Sequence, residues 1–232
     1  ALVAKSAFLA KDKNKMEEPL SYRLLTILPF LYRKWAAIRL RSLECWIGKW
    51  RLPEMHAGVS SDGAEDASWR TALDMEEARL SQVAFTGGSA DIFKCFDQVN
   101  RDFLYSVLLA GGMPPRILSA YMRYMESVDY FNSISGSLGA PHRHPCGIPQ
   151  GCPLSMMLIA FWLRTWISGV RHMTGYRPYF ESVHPRILAD DLFLIAYGPR
   201  HEKLFKEAFE FTHAFLIDIG AKVAGNKSLT FS

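Results

Sequence analysis

Two aspartates stand side by side in Arg186-Ile-Leu-Ala-Asp190-Asp191-Leu-Phe-Leu-Ile-Ala, a stretch that is apolar on both flanks. An apolar interior does not accept two ionised carboxylates without cations or water. The chain is therefore constrained to turn here, with one strand entering, one leaving, and the acids at the tip. Neighbouring residues of an extended chain send their side chains to opposite faces. One carboxylate can thus meet a divalent metal while the other stays close. Hard oxygen ligands of this kind suit Mg²⁺ or Mn²⁺, not zinc. A solvated β-turn is the competing reading, although turns rarely carry Ile-Leu-Ala and Leu-Phe-Leu-Ile at their two shoulders.

Two further constellations precede it. In Ser89-Ala-Asp91-Ile92-Phe-Lys-Cys95-Phe96-Asp97 an aspartate ends an apolar strand and a second carboxylate follows six residues on. Read alone, Asp91 is better explained by capping the turn after the strand. In Cys146-Gly-Ile-Pro-Gln150-Gly151-Cys152-Pro-Leu-Ser155 two glycines and two prolines fix a backbone free of bulk just before a long apolar segment. Such a loop admits a ligand or base pair closely, with Gln150 as the hydrogen-bonding side chain. An elaborate loop leading into a helix is the plainer alternative.

The chain of 232 residues is 49% hydrophobic and 22% charged, which fits one large globular domain or two small ones and excludes wholesale disorder. Its net charge of +4 is unevenly spread: residues 1–51 carry +7, residues 52–91 carry −6, and the remainder carries +3. The basic first part is a candidate phosphate-contacting surface or an ordinary solvated face. Four cysteines without a C-x-x-C pair argue for reduced thiols in an intracellular protein, nuclear or cytoplasmic. No secretory signal is visible. The most membrane-like stretch, Pro153 to Val170, is interrupted by Arg164 and reads as a buried helix. The six tryptophans fall mostly in helical segments and read as core. His142-Arg143-His144 has metal-like spacing but lacks further ligands, so a solvated or template-side loop is the better reading. Cys95 and Cys152 read as small apolar fillers rather than nucleophiles.

Strands are expected at Val3–Ala10 and Tyr22–Pro29, with a charged turn at Lys11–Lys15 between them. A helix is expected from about Phe30 to Ile47, and another to about Val83, capped by Ser61 or Asp62 with Glu65 in a capping box. Gly87-Gly88 punctuates the entry to a short strand ending near Phe93. Asn100 caps a helix that stops at Gly111-Gly112, and Pro114-Pro115 opens the next, to about Ser127. A hairpin over Val128–Ser135 and Leu138–His142, a helix after Pro153, the strand–turn–strand at Asp190-Asp191 and a helix from Arg200 to Ile219 complete the set. Strands and helices alternate without a regular βαβ repeat, so the fold class is α+β.

In this order and spacing the segments resemble the reverse transcriptase family, of the type found in non-LTR retrotransposons and group II introns. Pro19-Leu-Ser-Tyr-Arg23-Leu-Leu-Thr-Ile-Leu resembles its fingers segment, Asp91-Ile-Phe-Lys-Cys-Phe-Asp its motif A, and Gly147-Ile-Pro-Gln-Gly-Cys-Pro-Leu-Ser its motif B. Ala189-Asp190-Asp191 resembles motif C, and Gly220-Ala-Lys-Val-Ala-Gly-Asn-Lys227-Ser motif D. The resemblance implies the fingers and palm of a right-hand polymerase, with an antiparallel palm sheet packed on helices and the thumb absent. Fingers are expected at 1–90, including the acidic segment 52–90, and palm at 91–232, with part of the fingers intruding at about 114–150.

The implied activity is RNA-directed DNA synthesis. Asp91, Asp190 and Asp191, with the Ile92 carbonyl, would hold two Mg²⁺ (or Mn²⁺) ions roughly 4 Å apart for nucleotidyl transfer from a dNTP to a primer 3′-hydroxyl. Arg23, with Lys11 or its rivals Lys13 and Lys15, would grip the triphosphate. Phe96 would exclude a 2′-hydroxyl, and Gln150 and Gly151 would lie along the nascent base pair. Lys227 would protonate or steady the pyrophosphate. The implied partners are an RNA template, a DNA or RNA primer and dNTPs, with no membrane.

The alternative is a non-catalytic nucleic-acid-binding or interaction module on the same scaffold. Where many relatives carry a basic Gly-Phe-Arg segment, this chain reads Met55-His-Ala-Gly58-Val-Ser-Ser-Asp-Gly63-Ala-Glu-Asp66. That acidity would repel phosphate.

Overall fold

The computed structural model describes residues 3–11, 21–59, 63–134, 136–174, 181–225 and 227–232. The elements in chain order are β1 (Val3–Ala10), β2 (Tyr22–Ile27), α1 (Phe30–Ser42), α2 (Glu44–Trp50), α3 (Ala64–Leu80) and β3 (Phe85–Asp91). There follow α4 (Cys95–Gln98), α5 (Arg101–Ala110), α6 (Pro115–Ser127), β4 (Asp129–Ile134) and β5 (Ser137–His142). The chain continues through α7 (Ser155–Thr174), β6 (Val183–Leu188), β7 (Asp191–Tyr197), α8 (His201–Asp218) and β8 (Leu229–Phe231). The expected α+β mixture is what forms. Most of the Lys11–Lys15 turn, with Lys13 and Lys15, lies outside the described residues, as do Ser61 and Asp62.

Two compact units arise. The first combines the chain up to Trp46 with Val99–Ser155. Its sheet has the order β2-β1-β4-β5. β1 pairs antiparallel with β2 and parallel with β4, a pairing that no local pattern announces. Around this sheet, α6 buries Leu118, Tyr121, Tyr124 and Met125 on one helical face, the spacing an amphipathic helix requires. Asn100 caps α5 as expected, its Oδ1 accepting from the Phe103 amide at 3.1 Å. At the other end of α5, Gly112 takes φ +73 and the Met113 amide reaches back to the Leu108 carbonyl, a glycine-terminated helix end. The helix expected over 30–47 instead breaks at Leu43. Ser42 Oγ donates to the Arg39 carbonyl at 2.8 Å, competing with the backbone ladder, and Leu43 is fully buried.

Arg101 is a buried charge of this unit. Its guanidinium meets Glu126 at 3.3 Å and donates to the Met125 and His144 carbonyls, tying α5 to α6 and to the segment after β5. A buried guanidinium persists only when its donors are used. Arg101→Met is expected to destabilise the unit by about 2–3 kcal/mol through two orphaned carbonyls. Glu126→Gln, at the half-exposed partner, is expected to cost less than about 1 kcal/mol. Urea unfolding of the two variants measures the difference.

His144 stacks edge-on against Tyr130 at 4.3 Å. Burial, then the neighbouring His142 and Arg101, push its pKa below the usual 6.5. A histidine held down in this way binds protons more readily in the unfolded chain. Its contribution is therefore complete above about pH 6.5 and declines as the pH falls toward the lowered native value. His144→Phe is expected to flatten that acid-side decline in the urea midpoint; an unchanged slope would remove His144 from the account.

The second unit combines Ile47–Gln98 with Met156–Ser232. Its sheet, β6-β7-β3-β8, is antiparallel throughout. One face carries Phe85, Gly87, Ser89 and Asp91 with their β7 partners Tyr197, Ile195, Phe193 and Asp191, and it packs toward α3. The other carries Thr86, Gly88 and Ala90 and packs toward α8, with the Thr86 hydroxyl 2.7 Å from His201 Nδ1. Gly87 and Gly88 lie inside β3 rather than at its entry. A Cβ on Gly87 would stand 2.5 Å from the Phe231 ring, and one on Gly88 2.9 Å from the Phe205 ring. The missing side chains are replaced by aromatic rings from β8 and α8.

Behind α8 lies α7, where Trp166 Nε1 donates to Thr212 Oγ1 at 2.9 Å and Gly169 admits the Phe211 ring. Arg164, the charge that interrupts the apolar stretch, donates to the Trp50 carbonyl at 2.8 Å. Among the described residues no helix is long and apolar enough to cross a membrane. Gly63 is the N-cap of α3 and its amide donates to Asp66 at 2.8 Å, so Asp66 takes the place expected of Glu65. Trp69 is a correction: it is 68% exposed, because α3 turns Ala67, Thr71 and Met75 to the sheet and leaves Trp69 and Leu73 outward.

Candidate functional site

The aspartate pair forms the predicted hairpin tip. Leu188 pairs with Asp191, so β6 and β7 are joined by Ala189 and Asp190 alone. A two-residue link of this kind demands left-handed backbone, and Ala189 supplies it at φ +58 without being glycine. Asp190 stands in the link. Asp191 opens β7, directly opposite Asp91, the last residue of β3. Side chains directly opposed on neighbouring strands are within interaction range. The register therefore brings both sequence segments together without any loop contribution.

Asp91 is buried at 7% exposure. Its surroundings are fixed by the chain after α8: the Ala224 amide donates to the Asp91 carbonyl at 2.8 Å, the Phe93 amide to the Lys222 carbonyl at 2.8 Å, and Ile92 bridges Val223. The Ile92 amide also reaches the Asp190 carbonyl at 3.3 Å. This pairing delivers Lys227, whose Nζ donates to Asp91 Oδ2 at 2.6 Å. The carboxylate hydrogen bond holds the Lys227 pKa above its usual value, working against partial burial. Burial pushes the Asp191 carboxyl up, the charges of Asp190 and Asp91 add to this, and Lys227 opposes them. Burial, then Asp190, also drive the Cys95 thiol well above its ordinary range, in keeping with a space-filling role.

The donors fit a hard divalent cation by type: three carboxylates and a peptide carbonyl, with no sulfur or imidazole among them. Among the described residues, no group of three or more His, Cys, Asp or Glu is gathered tightly enough to hold an ion as it stands. That includes His142 and His144.

Beside Asp191, on the α3 face of the sheet, lies an open groove of about 510 Å³. Thr71 and Ala72 of α3 form one wall, and Ser89, Arg186 and Phe193 of the sheet form the floor. Arg186 is held by Asp74 of α3, which also lies 3.8 Å from His184 Nδ1. These groove residues were not singled out from sequence. Their signal was present in the alternation of Arg186, Leu188, Asp191 and Phe193 along one sheet face. The same pairings account for part of the acidic segment: Asp74 holds Arg186, Glu54 holds Arg171, and Asp66 caps α3.

Phe96 lies on α4, one turn beyond Asp91, and is partly buried. The other expected residues belong to the first unit. Arg23 is exposed on β2 opposite Leu9, and the exposed Lys11 follows two residues later on the β1 side, its amide bonded to the Ser21 carbonyl. The Gln150 carbonyl accepts from the Thr26 amide at 2.9 Å, and Gly151 takes φ +130. Under this loop, Tyr32 stacks on Tyr124 and its hydroxyl meets Cys152 Sγ at 3.2 Å. Ser155 Oγ donates to the Pro149 carbonyl at 2.8 Å. The loop is thus tied down along its length.

Residues 11–232 match the family described as reverse transcriptase (RNA-dependent DNA polymerase). The chain is 27% identical over 213 residues to the Transposon TX1 uncharacterized 149 kDa protein of Xenopus laevis, covering 81% of this chain and 16% of that protein. That mobile-element relative agrees with the resemblance drawn from the motifs. Among solved structures, apo telomerase from Candida tropicalis truncated from its C-terminal domain superposes with a TM-score of 0.74 at 14% identity, over 99% of this chain and 50% of that one. Telomerase from Candida albicans in complex with a fragment of telomeric RNA gives 0.66 at 12% identity, over 100% of this chain and 42% of that one. The chain thus spans half or less of these relatives, and at such identities the solved structures speak for the fold. With the family match running over nearly its whole length, the chain belongs to the reverse transcriptase (RNA-dependent DNA polymerase) family.

Proposed function

We propose that this chain is the polymerising part of an RNA-directed DNA polymerase, extending a DNA or RNA primer with dNTPs along an RNA template. The observation that carries the reading is the direct opposition of Asp91 and Asp191 across β3 and β7, with Asp190 in the link beside them. Asp91, Asp190, Asp191 and the Ile92 carbonyl are the groups that would hold Mg²⁺ or Mn²⁺. Bound there, the ions would supply charge neutralisation and a more acidic 3′-hydroxyl.

The chain's own residues do the rest. Asp91 and Asp191 are set opposite one another by the ladder, so the backbone is already arranged for both to face one reactant, and preorganised charge of this kind lowers a barrier. Arg23, with Lys11, would bind the triphosphate; a guanidinium matches phosphate oxygens two at a time. Phe96, following Asp91 on the next turn, would crowd a 2′-hydroxyl and select deoxynucleotides. Gln150 and Gly151 would bound the nascent base pair, and Lys227 would attend the leaving pyrophosphate. On this reading the first unit serves as fingers and the second as palm, which differs from the division expected at residue 90 by assigning residues 47–90, with the acidic segment, to the palm.

Primer extension on an RNA template with Mg²⁺ tests the proposal. Wild type is expected to incorporate dNTPs and to discriminate against rNTPs, and Asp190→Asn is expected to incorporate neither. Equal incorporation by wild type and Asp190→Asn would remove Asp190 from the site. RNA binding without extension by either would instead support the non-catalytic module.

A further inference from the structure

Lys227 stands on the Asp91 oxygen that a bound cation would need. Its Nζ lies 2.6 Å from Asp91 Oδ2, where Asp91 is 10% exposed at its side chain and Lys227 60% exposed. The backbone around it is anchored: Ala224 is bonded to Asp91, Lys222 to Phe93, and the Lys227 amide to the Ala224 carbonyl at 3.0 Å. The side chain is not anchored in this way. It is a flexible four-carbon stem with most of its surface in water, so the ammonium can leave Asp91 without moving a strand. The Asp91–Asp191 opposition with Asp190 alongside also explains why a cation belongs there, since three carboxylates at one strand end repel one another.

Resting on the proposed function, we propose that Lys227 is a displaceable counter-ion. It neutralises the carboxylates and yields the Asp91 oxygen to a divalent ion, which frees the ammonium on the solvent side, where a triphosphate would arrive. Lys227 and the ion then compete for one oxygen, and removing the lysine strengthens ion binding. A lysine serving only to complete the charge balance of the whole site would behave no differently from other lysines nearby.

Mn²⁺ titration of the full chain without nucleic acid, read from the electron paramagnetic resonance signal of free Mn²⁺, tests this. Lys227→Met is expected to bind Mn²⁺ about 3–5-fold more tightly than wild type, the worth of a partly exposed charged pair. Lys227→Arg is expected to stay near wild type. Lys94→Met and Lys222→Met, which remove the same charge from neighbouring positions, are expected to shift affinity less than about twofold because water and salt screen them. In an Asp91→Asn background the gain from Lys227→Met is expected to vanish.

A similar gain from all three lysine variants, no gain or a loss from Lys227→Met, a gain that survives Asp91→Asn, or no Mn²⁺ binding by any protein would each overturn the proposal. The readout does not use polymerisation. A chain that shows the Lys227 effect but never extends a primer loses only the proposed function, and one that extends a primer without the effect loses only the counter-ion.

Discussion

If the proposed function holds, Asp190→Asn is expected to lower primer extension by about 10³-fold or more, because it removes a charge from the group that would gather cations at the reacting phosphate. The same substitution is expected to leave urea stability unchanged or slightly raised. Asp191 is already pushed toward protonation by burial and by its two acidic neighbours. Removing the neighbouring charge relieves repulsion, and asparagine keeps the shape of the side chain. A loss of activity with stability intact separates a chemical role from a structural one. A large fall in stability would mean that Asp190 is held for folding, and unimpaired extension would mean that the site lies elsewhere. Asp91→Asn is a less clean probe, since it also strips Lys227 of its partner.

Gly151→Ala is expected to be the most damaging small substitution in the first unit, costing about 3 kcal/mol or more. A Cβ at Gly151 would stand 2.4 Å from the Thr26 backbone carbonyl oxygen, and its φ of +130 is one that side-chain-bearing residues rarely adopt. Neither contact partner can give way, because the Thr26 amide is itself bonded to the Gln150 carbonyl. Gly112→Ala is the control. Its φ is +73, but nothing lies within 4 Å of a Cβ there, so it is expected to cost about 1 kcal/mol of backbone strain alone. Urea unfolding of both variants checks the ordering. Equal costs would show that the approach of the loop to β2 is looser than the contact distances imply.

Much of the local structure was legible beforehand for identifiable reasons. Asn100, Pro115 and the Gly111-Gly112 pair carry their structural instructions within one or two turns of chain, so α5 and α6 formed where expected. The apolar shoulders of Asp190-Asp191 likewise specified a hairpin. Misreadings occurred where a local signal was outweighed by a distant partner. Gly87-Gly88 looks like a strand entry until the rings of Phe231 and Phe205 fill the places of the missing side chains. Trp69 looks like core until α3 turns its small residues to the sheet. The helix expected over 30–47 has Leu, Trp and Ile at helical spacing, yet Ser42 competes for a backbone acceptor and Leu43 breaks it.

The acidic run between residues 52 and 91 shows the same division. From sequence it is a charge without an account and an argument against template grip by the loop at 55–66. In the fold Asp74, Glu54 and Asp66 have structural partners, while Asp91 stands at the candidate site under Lys227. Sequence alone determined which chemical groups this protein owns, where its chain turns, and to which family it is similar, because turn chemistry, capping and periodicity act over a few residues. Only the tertiary structure decided that Asp91 faces Asp191, that Lys227 covers Asp91, and that β1 runs parallel to β4. Those meetings depend on sheet register and on which layers pack together, and both are settled by the burial of surfaces far apart along the chain.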